Sequence, residues 1–209
     1  MQQSAEILRH LRLELSRPVN LLNSETLVKD AHRKLNAKVY AYFDICEWER
    51  HLIEDTVTVF RPSSTPGSLD SRKLLTATES KPGHRKAYAD TLVATFKGWT
   101  RSKSNLWATS TIAPKVGLAV ITFGVGGRAR DYKETDAEQR VEDLLGRIRE
   151  SSARTQGNVF RPLRGFAFYD GPQVHLLKPL RRRHWTRTAA LNDADEIIAH
   201  MMQEDGWSA

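Results

Sequence analysis

Leu176-Leu177-Lys178-Pro179-Leu180-Arg181-Arg182-Arg183-His184-Trp185-Thr186-Arg187, running on into Thr188-Ala189-Ala190-Leu191-Asn192-Asp193-Ala194-Asp195-Glu196-Ile197-Ile198, passes from an apolar strand through a cationic turn into a helix. Lys178, Arg181, Arg182, Arg183 and Arg187 crowd into ten residues, a density that raises a local positive field and attracts phosphate. Trp185 among the arginines offers a stacking surface beside phosphate-pairing groups, the combination used for single-stranded nucleic acid. The spacing predicts a helix opening at Asn192 or Asp193, with Asp193 and Glu196 as a capping box and Ala194, Ile197, Ile198, Met201 and Met202 as its buried face. Thr188 and that helix start are expected to add anion contacts. The competing reading buries Trp185 in the core and pairs the arginines with an acidic helix over residues 138–150.

Upstream of this block, residues 165–169 and 173–177 read as a hairpin across Asp170-Gly171. Arg161 and Arg164 lead into it and are expected to extend the basic face. Residues 106–112 alternate and are rich in Thr and Trp, and residues 116–125 are strongly apolar. With Ala113-Pro114-Lys115 between them, they read as a second hairpin. A helix is expected from Thr135 or Asp136, with Val141, Leu144, Leu145 and Ile148 inward, followed by a polar connector over residues 151–157. Phe123-Gly124-Val125-Gly126-Gly127 follows a strand, but no helix start lies at the turn and no Lys-Ser or Lys-Thr follows, so it reads as a strand exit.

The first half is helical in pattern. Leu27, Ala31, Leu35, Val39 and Tyr42 share a face behind an Asn23 or Ser24 cap. Ile45, Trp48, Leu52, Thr56 and Phe60 form a second set, with Glu47 and Glu49 in the first turn. A shorter helix is expected over residues 5–15, and another over residues 85–99. The expected fold is therefore α+β: a helical N-terminal segment (1–60), a proline- and serine-rich loop (61–83) and an α+β domain (84–209). The sheet is expected to have four antiparallel strands in two hairpins, flanked by helices.

The 209 residues carry 32 Lys and Arg against 25 Asp and Glu, a formal net charge of +7 that suits a polyanionic partner. Cys46 is the single cysteine, which excludes an intramolecular disulfide and fits a reducing, cytoplasmic setting. No signal pattern opens the chain, and no apolar run reaches the roughly 18 residues of a membrane span. Neither a cofactor nor a metal site is expected. Asp70 with Glu79 and Lys81, or Asp131 with Lys133, has the letters of a metal-dependent nuclease. The first set falls in the proline-rich loop and the second lacks an upstream acid. Asp193, Glu196 and His200 read as a solvated helix face. Neighbouring carboxylates would raise the Cys46 thiol, and His32, His51, His84 and His175 show no partners in sequence, so none is assigned a catalytic role.

Val39-Tyr40-Ala41-Tyr42-Phe43-Asp44-Ile45, Trp48-Glu49-Arg50, Leu52-Ile53-Glu54-Asp55-Thr56-Val57, Pro62-Ser63-Ser64-Thr65-Pro66 and Arg85-Lys86-Ala87-Tyr88-Ala89-Asp90-Thr91-Leu92 together resemble the region that follows the catalytic domain in bacterial adenine-specific DNA methyltransferases. The stretches Tyr169-Asp170, Lys178-Pro179, Trp185-Thr186-Arg187 and Ala190 to Ile197 are similar to the far C-terminal end of such proteins. The resemblance spans roughly residues 35 to 200. Those enzymes serve restriction-modification and phage-defence systems. Their Asn-Pro-Pro-Tyr-type tetrapeptide and glycine-rich cofactor motif are absent from this sequence. The resemblance thus implies a non-catalytic accessory subunit that contacts DNA, or a partner protein of the same defence system. Lys178, Arg181, Arg182, Arg183, Trp185, Arg187, Arg161 and Arg164 are the expected nucleic-acid contacts.

Overall fold

The computed structural model describes residues 9, 24–64, 75–100, 105–126, 131–155, 166–170 and 173–204. The expected helix over residues 5–15, apart from Arg9, lies outside them, as do Asp70, Arg161, Arg164 and the Gly171 turn. The chain divides into two compact units, residues 1–51 and 52–209, with the division inside a helix.

In the first unit, α1 (Ser24–Tyr42) and the start of α2 (Glu47–Asp55) are joined through Asp44, which takes a positive φ of 51°. Cys46 N–H donates to Glu49 Oε2 at 2.9 Å, which satisfies one free amide at the start of α2. Tyr40 is buried, and the Arg50 guanidinium lies 5.5 Å from its ring centroid. In the second unit, α2 runs on through a π-helical stretch (Thr56–Phe60) into the short α3 (Arg61–Ser64). The expected loop is therefore helical at its start. Its end is ordered too, with a 3-10 turn at Leu75–Ala77 and a bridge between Glu79 and Arg181.

The rest of the second unit is built on five strands: β1 (Leu106–Ala113), β2 (Leu118–Val125), β3 (Lys133–Asp136), β4 (Phe166–Asp170) and β5 (Gln173–Pro179), in the order β3-β1-β2-β5-β4. β1 with β2, β2 with β5, and β4 with β5 pair antiparallel. β3 pairs parallel to β1, so the sheet is mixed and the expected four-stranded, wholly antiparallel sheet is corrected. Lys133-Glu134-Thr135-Asp136 has no apolar alternation to mark a strand, because a short charged edge strand has no face to bury. The helix expected at Thr135 or Asp136 starts after it, as α5 (Glu138–Thr155), and runs through most of the expected polar connector.

Alternation sets the two faces. Leu106, Ala108, Ala119, Ile121, Phe123, Val174 and Leu176 point to one side. There they meet Tyr88, Leu92 and Phe96 of α4 (Pro82–Thr100) and Ala190, Ala194 and Ile197 of α6 (Arg187–Glu204). On the other side Ala113 and Val120 pack with Val141 of α5. Between β1 and β2, Gly117 sits at φ 69°, a left-handed position that ends the turn and that other residues adopt only with strain. Its carbonyl accepts Leu180 N–H at 2.8 Å, tying the turn to the end of β5.

The last helix begins earlier than its spacing implied. Thr186, 1% exposed, is the cap: its Oγ1 accepts Ala189 N–H at 3.0 Å. Asp193 lies two turns inside α6 and is not a capping residue. Thr186→Ala is expected to cost about 1–2 kcal/mol in urea unfolding, the range for a lost threonine cap. Asn192→Ala, at an exposed mid-helix position, is expected to leave the midpoint essentially unchanged. Equal losses would mean that the helix starts at residue 192.

Candidate nucleic-acid interface

The cationic block is held against the segment before α4 by backbone bonds. Ser80 N–H donates to Leu180 O at 2.8 Å and Arg182 N–H donates to Thr78 O at 2.7 Å. This pairing sets Glu79 opposite Arg181, and His84 lies within the field of Arg182, Lys81 and Arg85. Pro82 then opens α4 on a residue whose missing N–H is not needed there.

The eight expected contacts part company. Lys178 is 3% exposed, because it occupies an inward position of β5 alongside Val174 and Leu176. Its Nζ donates to Asp193 Oδ2 and, at 3.2 Å, to Tyr88 Oη, and lies 4.4 Å from the Tyr88 ring centroid. Tyr88 Oη–H in turn donates to Asp193. Burial pulls the Lys178 ammonium down and the Asp193 carboxylate opposes it, while burial and the same carboxylate push the Tyr88 phenol well up.

Trp185 is 1% exposed. It packs on Tyr88 with centroids 5.3 Å apart, and its Nε1–H donates to Pro179 O at 2.8 Å. Its expected role as a stacking surface is therefore corrected: no ring face is offered to solvent. Lys178 is likewise withdrawn from any surface. Trp185 is buried as the competing reading has it, and the acids beside Arg182 and Arg187 include Asp55 and Glu54.

Arg187 Nη1 is 3.4 Å from Glu54 Oε2, and Arg182 Nη1 donates to Trp185 O at 2.7 Å within the field of Asp55. At the start of α6, Asp55 Oδ2 accepts Thr188 N–H at 2.7 Å and Thr188 Oγ1–H at 2.8 Å. The protein's own carboxylate, 6% exposed, thus takes the N-terminal place expected for phosphate.

Arg181 and Arg183 are exposed, as is Lys81. Arg181 Nη1 donates to Ala77 O at 2.9 Å, and Arg183 Nε donates to His184 Nε2 at 3.0 Å. Glu79 is the nearest acid by chain pairing, opposite Arg181. His84 Nδ1 accepts Lys81 N–H at 3.1 Å, and its pKa is lowered by burial and then by Arg182, Lys81 and Arg85. His184 is pulled down to about 4, by burial first and then by Arg183 and Lys178, with Asp193 opposing. At both imidazoles burial is the larger cause and the neighbouring cations the smaller.

Three partnerships went unseen in the sequence. Arg85 makes a two-point contact with Glu134, at 2.6 and 2.7 Å, and also donates to Ser80 Oγ at 2.9 Å. Its side chain is 4% exposed and locks α4 to edge strand β3. His175 has a partner after all: its Nδ1 lies 2.8 Å from Thr122 Oγ1, across the β2–β5 register. Asp193, expected as a cap and on a solvated helix face, instead accepts from Lys178 and Tyr88. Among the described residues no group of three or more His, Cys, Asp and Glu side chains is placed to hold a metal ion, and no helix is long and apolar enough to cross a membrane. No protein-family model matches the chain, and neither a curated protein nor a solved structure matches it.

Lys178→Met is expected to destabilise by about 3–5 kcal/mol, since it leaves Asp193 and the Tyr88 hydroxyl without the ammonium between them. Lys178→Met with Asp193→Leu is expected to recover much of that loss in urea unfolding. Purely additive losses would mean that the two residues act separately. His184 sets a second expectation. Its folded pKa lies below the unfolded value near 6.5, so its contribution is complete above about pH 6.5 and is lost as pH falls toward 4. Thermal melts from pH 7.5 to 4 should therefore decline more steeply in the wild type than in His184→Gln. Parallel curves would refute this.

Proposed function

We propose that the protein is a non-catalytic nucleic-acid-binding accessory subunit that holds the phosphate backbone at the corner formed by Lys81, Arg181 and Arg183. The observation that carries this reading is that Arg181 and Arg183, on the segment after β5, stay exposed, and that Lys81 is exposed on the segment which two backbone hydrogen bonds pin against it. The net charge of +7 adds a long-range pull on a polyanion. Contact through guanidinium and ammonium groups positions a strand without reading its sequence. DNA as the partner, and a restriction or phage-defence system as the setting, follow from the resemblance to the C-terminal region of adenine methyltransferases. A cytoplasmic location follows from the lone cysteine.

A second reading, a scaffold for a partner protein, is favoured by one observation. In the first unit Leu27, Val28, Tyr42, Phe43 and Trp48 are 49–67% exposed, more large apolar surface than a short helical unit leaves to water without a use for it.

Lys81→Ala/Arg181→Ala/Arg183→Ala, all at exposed positions, is expected to keep its melting temperature and to lose duplex affinity. Its plot of log affinity against log salt should flatten by up to about 2.7, at about 0.9 per phosphate contact. Trp185→Ala is expected to unfold the second unit instead. If the folded triple variant binds DNA with unchanged affinity and salt slope, backbone binding at this corner is wrong and the scaffold reading takes its place.

A further inference from the structure

In the first unit, α1 stops on a defined turn. Asp44 takes φ 51°, and Ile45 N–H donates to Tyr40 O at 2.9 Å across it, the closure that ends a helix on a left-handed residue. Phe43 N–H still donates to Val39 O at 3.1 Å, so the backbone carrying Tyr42 and Phe43 is held on both sides. Their rings meet edge to face, with centroids 5.0 Å apart and an interplanar angle of 86°. Tyr42 is 50% and Phe43 67% exposed, so this fixed pair turns half or more of its surface to water. Lys34 and Lys38 precede Tyr42 at steps of four residues, each about 6 Å along the axis, and share its side of the helix. Both lysines are exposed. Residues 31–43 hold no Asp or Glu. Asp30, one turn before Lys34, is paired with Arg33 at 3.1 Å.

We infer that this stripe of α1 binds a single-stranded nucleic acid, with an unpaired base stacked on the Tyr42–Phe43 pair and the phosphates toward Lys34 and Lys38. An aromatic platform beside cations is what such a strand uses, and every base has a face to offer. A duplex keeps its bases stacked on one another and leaves the rings without a partner. A protein groove that takes a helix wants apolar side chains at these spacings, and here it would have to desolvate two ammonium groups. A lipid surface needs a broad apolar face, whereas Ala31, Leu35 and Val39 are half-buried already. Exposed Asp44, beyond the rings, repels phosphate at that end and sets the strand's backbone toward the lysines. Nucleic acid as the class of ligand rests on the proposed function; the corner of Lys81, Arg181 and Arg183 takes no part.

The full chain is titrated, by fluorescence anisotropy, with a labelled oligothymidylate and with an abasic strand of equal length. Oligothymidylate is expected to bind about tenfold tighter, a factor within the range for one stacked base. Tyr42→Leu/Phe43→Leu keeps apolar side chains but removes the rings, and is expected to erase that preference with melting unchanged. Lys34→Ala/Lys38→Ala should weaken both strands and flatten the plot of log affinity against log salt by about 1.4, at about 0.7 per phosphate contact on a single strand. A strand carrying bromouracil, irradiated on the protein and digested with trypsin, should mark the peptide of residues 39–50, which lies between Lys38 and the cut after Arg50. An unchanged preference in the leucine variant, or a mark elsewhere, overturns the α1 site. So does binding to phosphatidylglycerol vesicles that needs Lys34 and Lys38 while the two strands bind alike. Failure of the wild type to bind either strand overturns the α1 site and leaves duplex binding at the corner standing. A preference lost in the leucine variant, with affinity and salt slope for strand and duplex intact in Lys81→Ala/Arg181→Ala/Arg183→Ala, keeps the α1 site and overturns the corner.

Discussion

The contact between Lys178, Asp193 and Tyr88 is the constraint around which the second unit is arranged. It joins the last strand, the last helix and the helix of residues 82–100 at one buried point, with Trp185 packed over the tyrosine ring. Bringing a lysine to 3% exposure costs desolvation that apolar packing alone would not incur. What offsets it is satisfaction on several sides: a carboxylate, a phenolic oxygen and the face of an aromatic ring. A slip of one residue along the final strand would turn Lys178 to the opposite face and leave Asp193 buried without its cation. The trio therefore acts as a register mark as well as a bond, a role that a leucine in its place would not fill.

The same logic governs the start of the last helix. Its N-terminal amides need an acceptor, and the positive end of its dipole favours an anion. Asp55 answers both demands from within the chain, with Glu54 beside it against Arg187. The π-helical stretch follows directly, so the widened turn falls where the helix must deliver Asp55 to one contact and Val59 to the interior. Part of the cationic run is thus spent on the fold. Arg181 and Arg183 stay exposed, Arg187 is exposed against Glu54, and Lys81 is exposed on a segment a hundred residues earlier.

Much of the architecture was legible in sequence because it follows from alternation and helical spacing. Leu106, Ala108, Ala119, Ile121, Val174 and Leu176 declare a buried face without help from long-range contacts. The edge strand at Lys133–Asp136 was not legible, since its order comes from pairing with β1 and from the grip of Arg85 on Glu134, neither of which leaves a local pattern. The start of the last helix was misplaced because Asn-Asp-Ala-Asp-Glu imitates a capping box, while the working cap, Thr186, hides behind an arginine. For the candidate site one signal was available and outweighed. Lys178 stands in step with Val174, Leu176 and Leu180, and that parity marks it as inward. The density of neighbouring arginines suggested a common outward fate, which period-two geometry forbids.

A cationic run in sequence therefore has to be sorted by where each side chain can reach before it is read as a binding surface. Lys178 is fixed by strand parity. Trp185 is fixed by the core cavity that only a large ring fills. Arg182 and Arg187 are fixed by the acids that the helix of residues 47–55 brings to them. Of the three cations among them, Lys178 is buried and Arg182 half-buried, while Arg187 stays exposed beside Glu54. Burial first, then Arg182 at His84 and Arg183 and Lys178 at His184, lowers both imidazoles below their ordinary pKa.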